Sequence, residues 1–244
     1  MASEVTKAER ALHRRTALAC ASAQESGVPG RFRVWECDGV LAVLATDPAL
    51  GFLATVSGVT SETAATAICL AGEPVWAGVK PTLVVSAELA EPPAAGLVRT
   101  RDRLLAVKRL DPRSVPTPPE VVDAEVFLSV LLAGFEAPGV LTAFLAAEHR
   151  LPAMHRFLEE ERGTPIAAAG MTIHDDVAVL GGAATLRAHR GRGAQPRLLR
   201  RRLEVAAAEG CTLAVATARP ESASAANLER AGFRLHRRTA WTTP

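Results

Sequence analysis

Apolar residues recur at three- and four-residue intervals from about Ser3 to Ser22, where Ala and Leu alternate with Lys and Arg. That period predicts an amphipathic helix, and Gly27 and Pro29 stop it. The pattern then shortens. Phe32, Val34 and the run Val40-Leu41-Ala42-Val43-Leu44 flank Asp38-Gly39, a dipeptide that favours a tight hairpin turn, and Asp47-Pro48 turns the chain again. Further strands are expected over Phe52 to Val56, Leu83 to Val85 and, after the Pro92-Pro93 turn, Arg103 to Leu110. Between the first two of these, Thr60-Ser61-Glu62 precedes an alanine-rich helical run that ends near Gly72.

Residues 111–120, DPRSVPTPPE, carry four prolines, a density that neither a helix interior nor a central strand tolerates, and they read as a linker. Helical spacing resumes around Val126, Phe127, Val130 and Leu131, and again from about Leu141 to Glu148. A hairpin across Arg162-Gly163 then joins strands at Arg156 to Glu160 and Pro165 to Ile173. A third strand, Val177 to Leu186, contains Gly181-Gly182, the mark of a bulge or of a place where a ligand comes close to the backbone. A helix from Pro196 to Ala208, a buried strand from Leu213 to Thr217, a short helix from Ser224 to Ala231 and a last strand reaching Trp241 complete the chain. The expected class is α/β (α+β): a mixed, mostly antiparallel central sheet flanked by helices, in two tandem halves at 1–110 and 121–244.

Composition narrows the function classes. With 244 residues, 48% of them apolar, the chain can bury one large core or two modest ones. A formal charge of +2 is no general signature of a nucleic-acid binder, although arginines crowd into the last third. Cys20, Cys37, Cys69 and Cys211 are too scattered for a zinc site or a disulfide framework, so a reducing, cytoplasmic setting and no metal are expected. The N-terminal segment has no apolar core of a secretory signal, and no apolar run is long enough to span a bilayer. Tyrosine is absent, which removes any mechanism that needs a phenol.

The chemistry concentrates at Thr185 to Pro196, where a strand runs directly into a helix through Arg190-Gly191-Arg192-Gly193-Ala194-Gln195. Such a junction offers unpaired main-chain N–H groups and the positive end of a helix dipole, a setting suited to phosphate oxygens. Gly191 and Gly193 allow close approach, and a proline in the first turn sacrifices no helical hydrogen bond.

This segment resembles the acyl-CoA pyrophosphate loop of the GNAT superfamily, with Gln195 in place of the small residue that usually ends it. The resemblance continues through Leu198-Leu199, Leu213 to Thr217 and the closing Asn227-Leu228-Glu229-Arg230-Ala231-Gly232-Phe233, covering roughly the last half of the chain. It implies that Arg190, Gly191, Arg192, Gly193, Ala194 and Gln195 hold the diphosphate and that Ala183, Ala184 and Thr185 lie along the pantetheine arm. Ser224 and Asn227 would face the thiol end, with helix capping as the other role for both. Leu228 stands where many relatives place a tyrosine acid, so Ser224 or water would protonate the departing thiolate. Glu148 is chosen as base over His149, His155 and His174. Residues 1–110 look like a worn second copy without the glycine-arginine loop, covering the other half's sheet and supplying a wall of the acceptor pocket.

The expected function is therefore N-acyl transfer, with acetyl first among the groups carried, from acetyl-CoA or another acyl-CoA to the amine of a small molecule. Two alternatives stay open: a related transferase using an aminoacyl-tRNA donor, and an acyl-CoA-binding module without turnover. The run Arg197, Arg200, Arg201 and Arg202 is read first as a solvated helix face, with a nucleic-acid patch or a cradle for the 3′-phosphate of coenzyme A as its other roles. A homodimer is open; a membrane partner is not expected.

Overall fold

The computed structural model describes residues 3–86, 92–112 and 122–244. Ser3 caps the first helix, its hydroxyl accepting from the Thr6 amide at 3.2 Å, and α1 runs Glu4–Glu25. The Asp38-Gly39 turn forms as expected, both residues with positive φ, and closes β1 (Phe32–Cys37) on β2 (Val40–Ala45). The stretch expected to be a strand from Phe52 divides instead. Asp47 caps a 3-10 helix at Pro48–Leu53 by accepting from the Ala49 amide, and β3 (Thr55–Val59) starts only after it. Then follow α2 (Ala64–Ala71), β4 (Thr82–Val85), β5 (Val98–Arg99) and β6 (Arg103–Arg109).

The proline-rich stretch falls largely outside the described residues. Beyond it come α3 (Ala124–Phe135) and α4 (Gly139–His149), then β7 (His155–Glu161) and β8 (Thr164–His174) across the Arg162-Gly163 turn, and β9 (Val177–Thr185). The chain ends with α5 (Ala194–Ala208), β10 (Leu213–Ala218), α6 (Ala223–Arg230), β11 (Arg234–Arg238) and β12 (Ala240–Thr242). The expected single last strand is thus two strands, and they belong to different sheets.

Two six-stranded, mostly antiparallel sheets result, ordered β1-β2-β3-β4-β12-β5 and β7-β8-β9-β10-β6-β11. Their orders correspond position by position. Each has one parallel pair, β3 with β4 and β9 with β10. Each is completed by a strand from the opposite part of the chain: β6 lies between β10 and β11, and β12 between β4 and β5. Sheet membership therefore does not change at 111–120, because β6, which precedes that stretch, finds its hydrogen-bonding partners in the second sheet.

The exchange welds the two halves together. One core, around Leu44, Val56 and Leu83, underlies the first sheet, and another, around Ile166, Met171 and Leu198, lies between the second sheet and α5. Helix α1 joins them, packing on β6, β8, β9 and β10, on β1 and on α4. Its apolar face (Val5, Ala8, Ala11) meets Leu105, Val107 and Val215. Helices α3 and α4 lie with α1 on that face of the second sheet. The polar positions of α1 are not all solvated: His13 and Arg15 are buried.

Candidate functional site

At the centre of the second sheet a parallel strand pair comes apart. Strands β9 and β10 pair from Val177↔Leu213 to Leu180↔Ala216 and no further, leaving Gly181–Thr185 without a partner on that side. The register with β8 slips at the same point, from Ala169↔Ala183 to Gly170↔Gly181, so Gly182 is a bulge residue with φ of +58°. The sequence marks Gly181-Gly182 for a bulge or for the close approach of a ligand, and the bulge occurs. A Cβ on Gly182 would lie 1.7 Å from His149 Nε2, and one on Gly181 2.7 Å from Arg15 Nη2. It is the protein's own side chains that come close.

Beyond β9, a 3-10 turn at Arg187–His189 and Gly191 (φ +78°) lead to Gly193 (φ +79°), which caps α5. Helix α5 starts at Ala194, so Pro196 sits within its first turn, where its missing N–H leaves no helical gap. A Cβ on Gly191 would meet nothing within 4 Å, so this glycine serves backbone conformation and open space rather than packing. The side chains around it brace the turn. Arg190 donates to the carbonyls of Thr185 (3.1 Å) and Gly134 (2.9 Å), and Gln195 donates to Thr185 Oγ1 (3.0 Å). Glu161 on β7 accepts from Arg192 (3.2 Å) and lies 2.9 Å from His189 Nδ1, while Glu159 accepts from Arg197 (2.5 Å).

A cavity of about 310 Å³ lies where the parted strands face α1, α4 and the first sheet. Gly181, Gly182 and Thr217 line its floor, and Leu41, Thr55 and Val84 of the first sheet line the opposite wall. Glu148 enters from α4. Its Oε1 accepts from Arg15 Nε at 3.0 Å, the two side chains being 15% and 7% exposed. Burial pushes the Glu148 carboxyl up, but the Arg15 guanidinium and His149 outweigh it, so the group lies below the ordinary carboxylate range.

His149 is fully buried beside it, and burial holds its pKa below the usual value despite Glu148. Its Nδ1 lies 2.8 Å from the Leu145 carbonyl, which can only accept, so the proton is on Nδ1 and Nε2 presents a lone pair. That Nε2 has no hydrogen-bond partner and faces the bulge.

Glu148 is thus brought together with the bulge, whereas Ser224 is not. Ser224 is exposed in the first turn of α6, and it is Ser222 that caps this helix, accepting from Ala225 N at 3.1 Å. Asn227 accepts from Arg230 Nη2, and Leu228 is buried in the core with Phe233. Of the three residues read along the arm, Ala183 is exposed, while Ala184 packs towards α3 and Thr185 is buried under Gln195. The arginine run divides too: Arg200 is exposed, but Arg202 is buried and donates to the Leu198 and Gly170 carbonyls, so it is not part of a solvated face.

The sequence reading missed the cavity's cations. Arg15, Arg103 and Arg238 all line it, as does His13, whose Nε2 lies 3.0 Å from Ser57 Oγ. Each sits in a segment whose pattern is simply helical or extended, so the only advance signal is a charged residue on an apolar face. Among the described residues no group of three or more His, Cys, Asp or Glu is placed to hold a metal, and no helix is long and apolar enough to cross a membrane.

Residues 127–233 match the family model of the acetyltransferase (GNAT) family. No curated protein sequence matches the chain. Among solved structures it is similar to a GCN5-related N-acetyltransferase from Kribbella flavida (21% identity, 93% of this chain and 95% of that one, TM-score 0.56). It is also similar to GCN5-related N-acetyltransferase from Sphaerobacter thermophilus (15%, 93% and 90%, TM-score 0.54) and to an acetyltransferase of the GNAT family from Colwellia psychrerythraea (17%, 87% and 85%, TM-score 0.54). Residues 127–233 thus match the GNAT acetyltransferase family, and the tandem fold of the whole chain is shared with GNAT proteins.

Proposed function

We propose that this protein is an acyl-CoA-dependent N-acyltransferase that moves an acetyl group to the amine of a small molecule. One observation carries the reading: a parallel strand pair parts at a bulge, leads into an open glycine turn at the start of α5, and opens sideways onto a cavity that contains a carboxylate.

The main chain is suited to gripping a diphosphate. First-turn amides of α5 have no intrahelical acceptor, and the helix dipole adds its positive end at the same point. Arg190, Arg192 and Arg197 are already committed to carbonyls and carboxylates, so they shape the turn more than they supply free charge. The unpaired edge of Gly181–Thr185 then offers hydrogen-bonding groups to the arm that carries the thioester.

At the cavity, an acceptor ammonium meets Glu148, which its partners hold ionised. The carboxylate draws off a proton, directly or through water, and the freed amine lone pair attacks the thioester carbonyl. When the tetrahedral intermediate collapses, the carbon–sulfur bond breaks, the new amide nitrogen gives up its second proton to water, and water hands a proton on to the departing thiolate. The side chain at Leu228 is buried and apolar and Ser224 is not among the lining residues, so neither supplies that proton here. A base held this far below neutrality is a moderate catalyst, and orientation at the bulge carries more of the rate.

The committed arginines and buried Arg202 weigh against an aminoacyl-tRNA donor, since few cations remain free to release counterions. Melting with and without acetyl-CoA tests the donor. Ligand at a hundred times its dissociation constant adds ~2.7 kcal/mol, a rise of roughly 5–10 °C for a chain of this size. No rise, together with no thiol release across an amine panel, would overturn the reading.

A further inference from the structure

We infer that the acceptor is an amine that also carries a carboxylate, of amino-acid size, and that Arg103 and Arg238 bind that carboxylate. This rests on the acyl-transfer reading and specifies its substrate class. Arg103 on β6 and Arg238 on β11 are direct cross-strand partners, and both line the cavity. Like charges directly opposite each other on one sheet face destabilise it, so the pair is a poor choice for stability alone.

Of the two guanidiniums, only Arg238 has a carboxylate beside it among the described residues. Arg103 donates to the Phe52 carbonyl at 3.1 Å, a neutral acceptor. Arg238 is 7% exposed, has Glu9 of α1 at 4.0 Å, and keeps a buried Nε without a hydrogen-bond partner. Among the lining residues three guanidiniums (Arg15, Arg103, Arg238) face one carboxylate, Glu148, which Arg15 already engages. His13 adds no counter-charge and no cation at neutral pH, since burial and Arg238 lower its pKa to about 4.

A buried guanidinium N–H left without an acceptor costs stability, and an arriving carboxylate supplies two acceptors in the planar arrangement that guanidiniums favour. The cavity's two ends then divide the labour. Arg103 and Arg238, on the strands beyond β10, take the acid, while Glu148, Gly181 and Gly182 receive the amine end beside the parted strands. A volume of about 310 Å³ is at the small end of ligand cavities, which suits an acceptor of this size.

The test pairs each free amino acid with its carboxamide, which keeps the side chain and the amine and loses only the acid. With the full chain and acetyl-CoA, thiol release should favour the free acids by about tenfold or more in kcat/KM, and Arg103→Gln should erase that preference. Arg103→Gln is preferred to a change at Arg238, which would also strand buried Glu9. Turnover of the carboxamides, or of amines with no acid group, at equal or higher kcat/KM overturns the inference while acyl transfer stands. A readout that needs no turnover is melting with N-acetyl amino acids at millimolar concentration against their carboxamides. Stabilisation by the acids alone, lost in Arg103→Gln, supports the site. No stabilisation by any acid overturns it even where acetyl-CoA still raises the melting temperature.

Discussion

The molecule contains two versions of one junction, a parallel strand pair followed by a turn into a helix, and only one of them is open. In the first sheet, β3 and β4 stay paired to Val59↔Val85, and the Ser86 amide extends the ladder to Val59 O at 2.7 Å. The turn after it is closed by its own hydroxyls: Thr63 Oγ1 accepts from the Thr60 amide at 2.8 Å and donates to the Gly58 carbonyl at 3.1 Å. In the second sheet the pairing stops at Leu180↔Ala216, and the turn after β9 has glycines, with open space at Gly191, where threonines stand in the first. One fold thus gives a structural joint in one half and a candidate ligand cradle in the other. The difference lies in a few residues that either satisfy the turn's amides or leave them free.

Breaking the ion pair that lines the cavity should have the largest effect. Glu148→Gln leaves Arg15 buried without its counter-charge, at about 3–5 kcal/mol, and should also depress kcat. An apolar double replacement, Arg15→Met with Glu148→Met, should restore much of the melting temperature but no activity. An unchanged melting temperature in Glu148→Gln contradicts the buried pair. Next is the bulge: Gly182→Ala places a methyl on His149 at a positive φ and should cost about 3 kcal/mol by denaturant titration, with loss of thiol release.

The acid side of the stability curve probes the wall contributed by α1. His13 titrates near 6.5 when unfolded and at about 4 when folded, so the unfolded chain takes up the proton first. Stability is therefore complete above pH 6.5, falls as pH drops from 6.5 to 4, and is lost to the extent of ~3 kcal/mol below that. His149 and His174, also lowered by burial, act in the same direction. His13→Asn should flatten that limb, and an unaltered slope would count against a neutral buried ring.

Two smaller changes separate the joints. Gly191→Ala should cost only about 1–2 kcal/mol, the penalty of a left-handed backbone, yet weaken acetyl-CoA binding at least several-fold. Thr63→Ala should cost about 1 kcal/mol through its lost hydrogen bonds and leave acetyl-CoA binding unchanged. The reverse pattern in a calorimetric titration would place the donor in the wrong half.

How legible this was in the sequence depends on the range of the interaction that decides each feature. The hairpin at Asp38-Gly39, the bulge at Gly181-Gly182 and the glycine turn before α5 are set by local backbone demands, and all three are readable from neighbouring residues. The boundary at Pro48–Leu53 was hidden because Asp47 caps a 3-10 turn within an apolar run. The exchange of β6 and β12 is a matter of which distant edge each strand completes, and their apolar pattern is the same in either sheet. Of the candidate site, the glycine turn and Glu148 were visible. Arg15, Arg103 and Arg238 were not, because residues from α1, β6 and β11 converge only through that exchange. Arg202 misled for a related reason: the Gly170 carbonyl that holds it inside comes from a strand well separated in the chain.

The central claim is that the open turn, and not its closed counterpart, receives the donor. Its most direct test is a titration of acetyl-CoA into the ¹⁵N-labelled full chain, followed at the main-chain amides. The account predicts saturable shifts centred on Gly191, Gly193 and Ala194 and extending along Gly181–Thr185, with Thr60–Ala64 unmoved. Shifts centred on Thr60–Ala64, or no saturable change at Gly191 and Gly193, would contradict it.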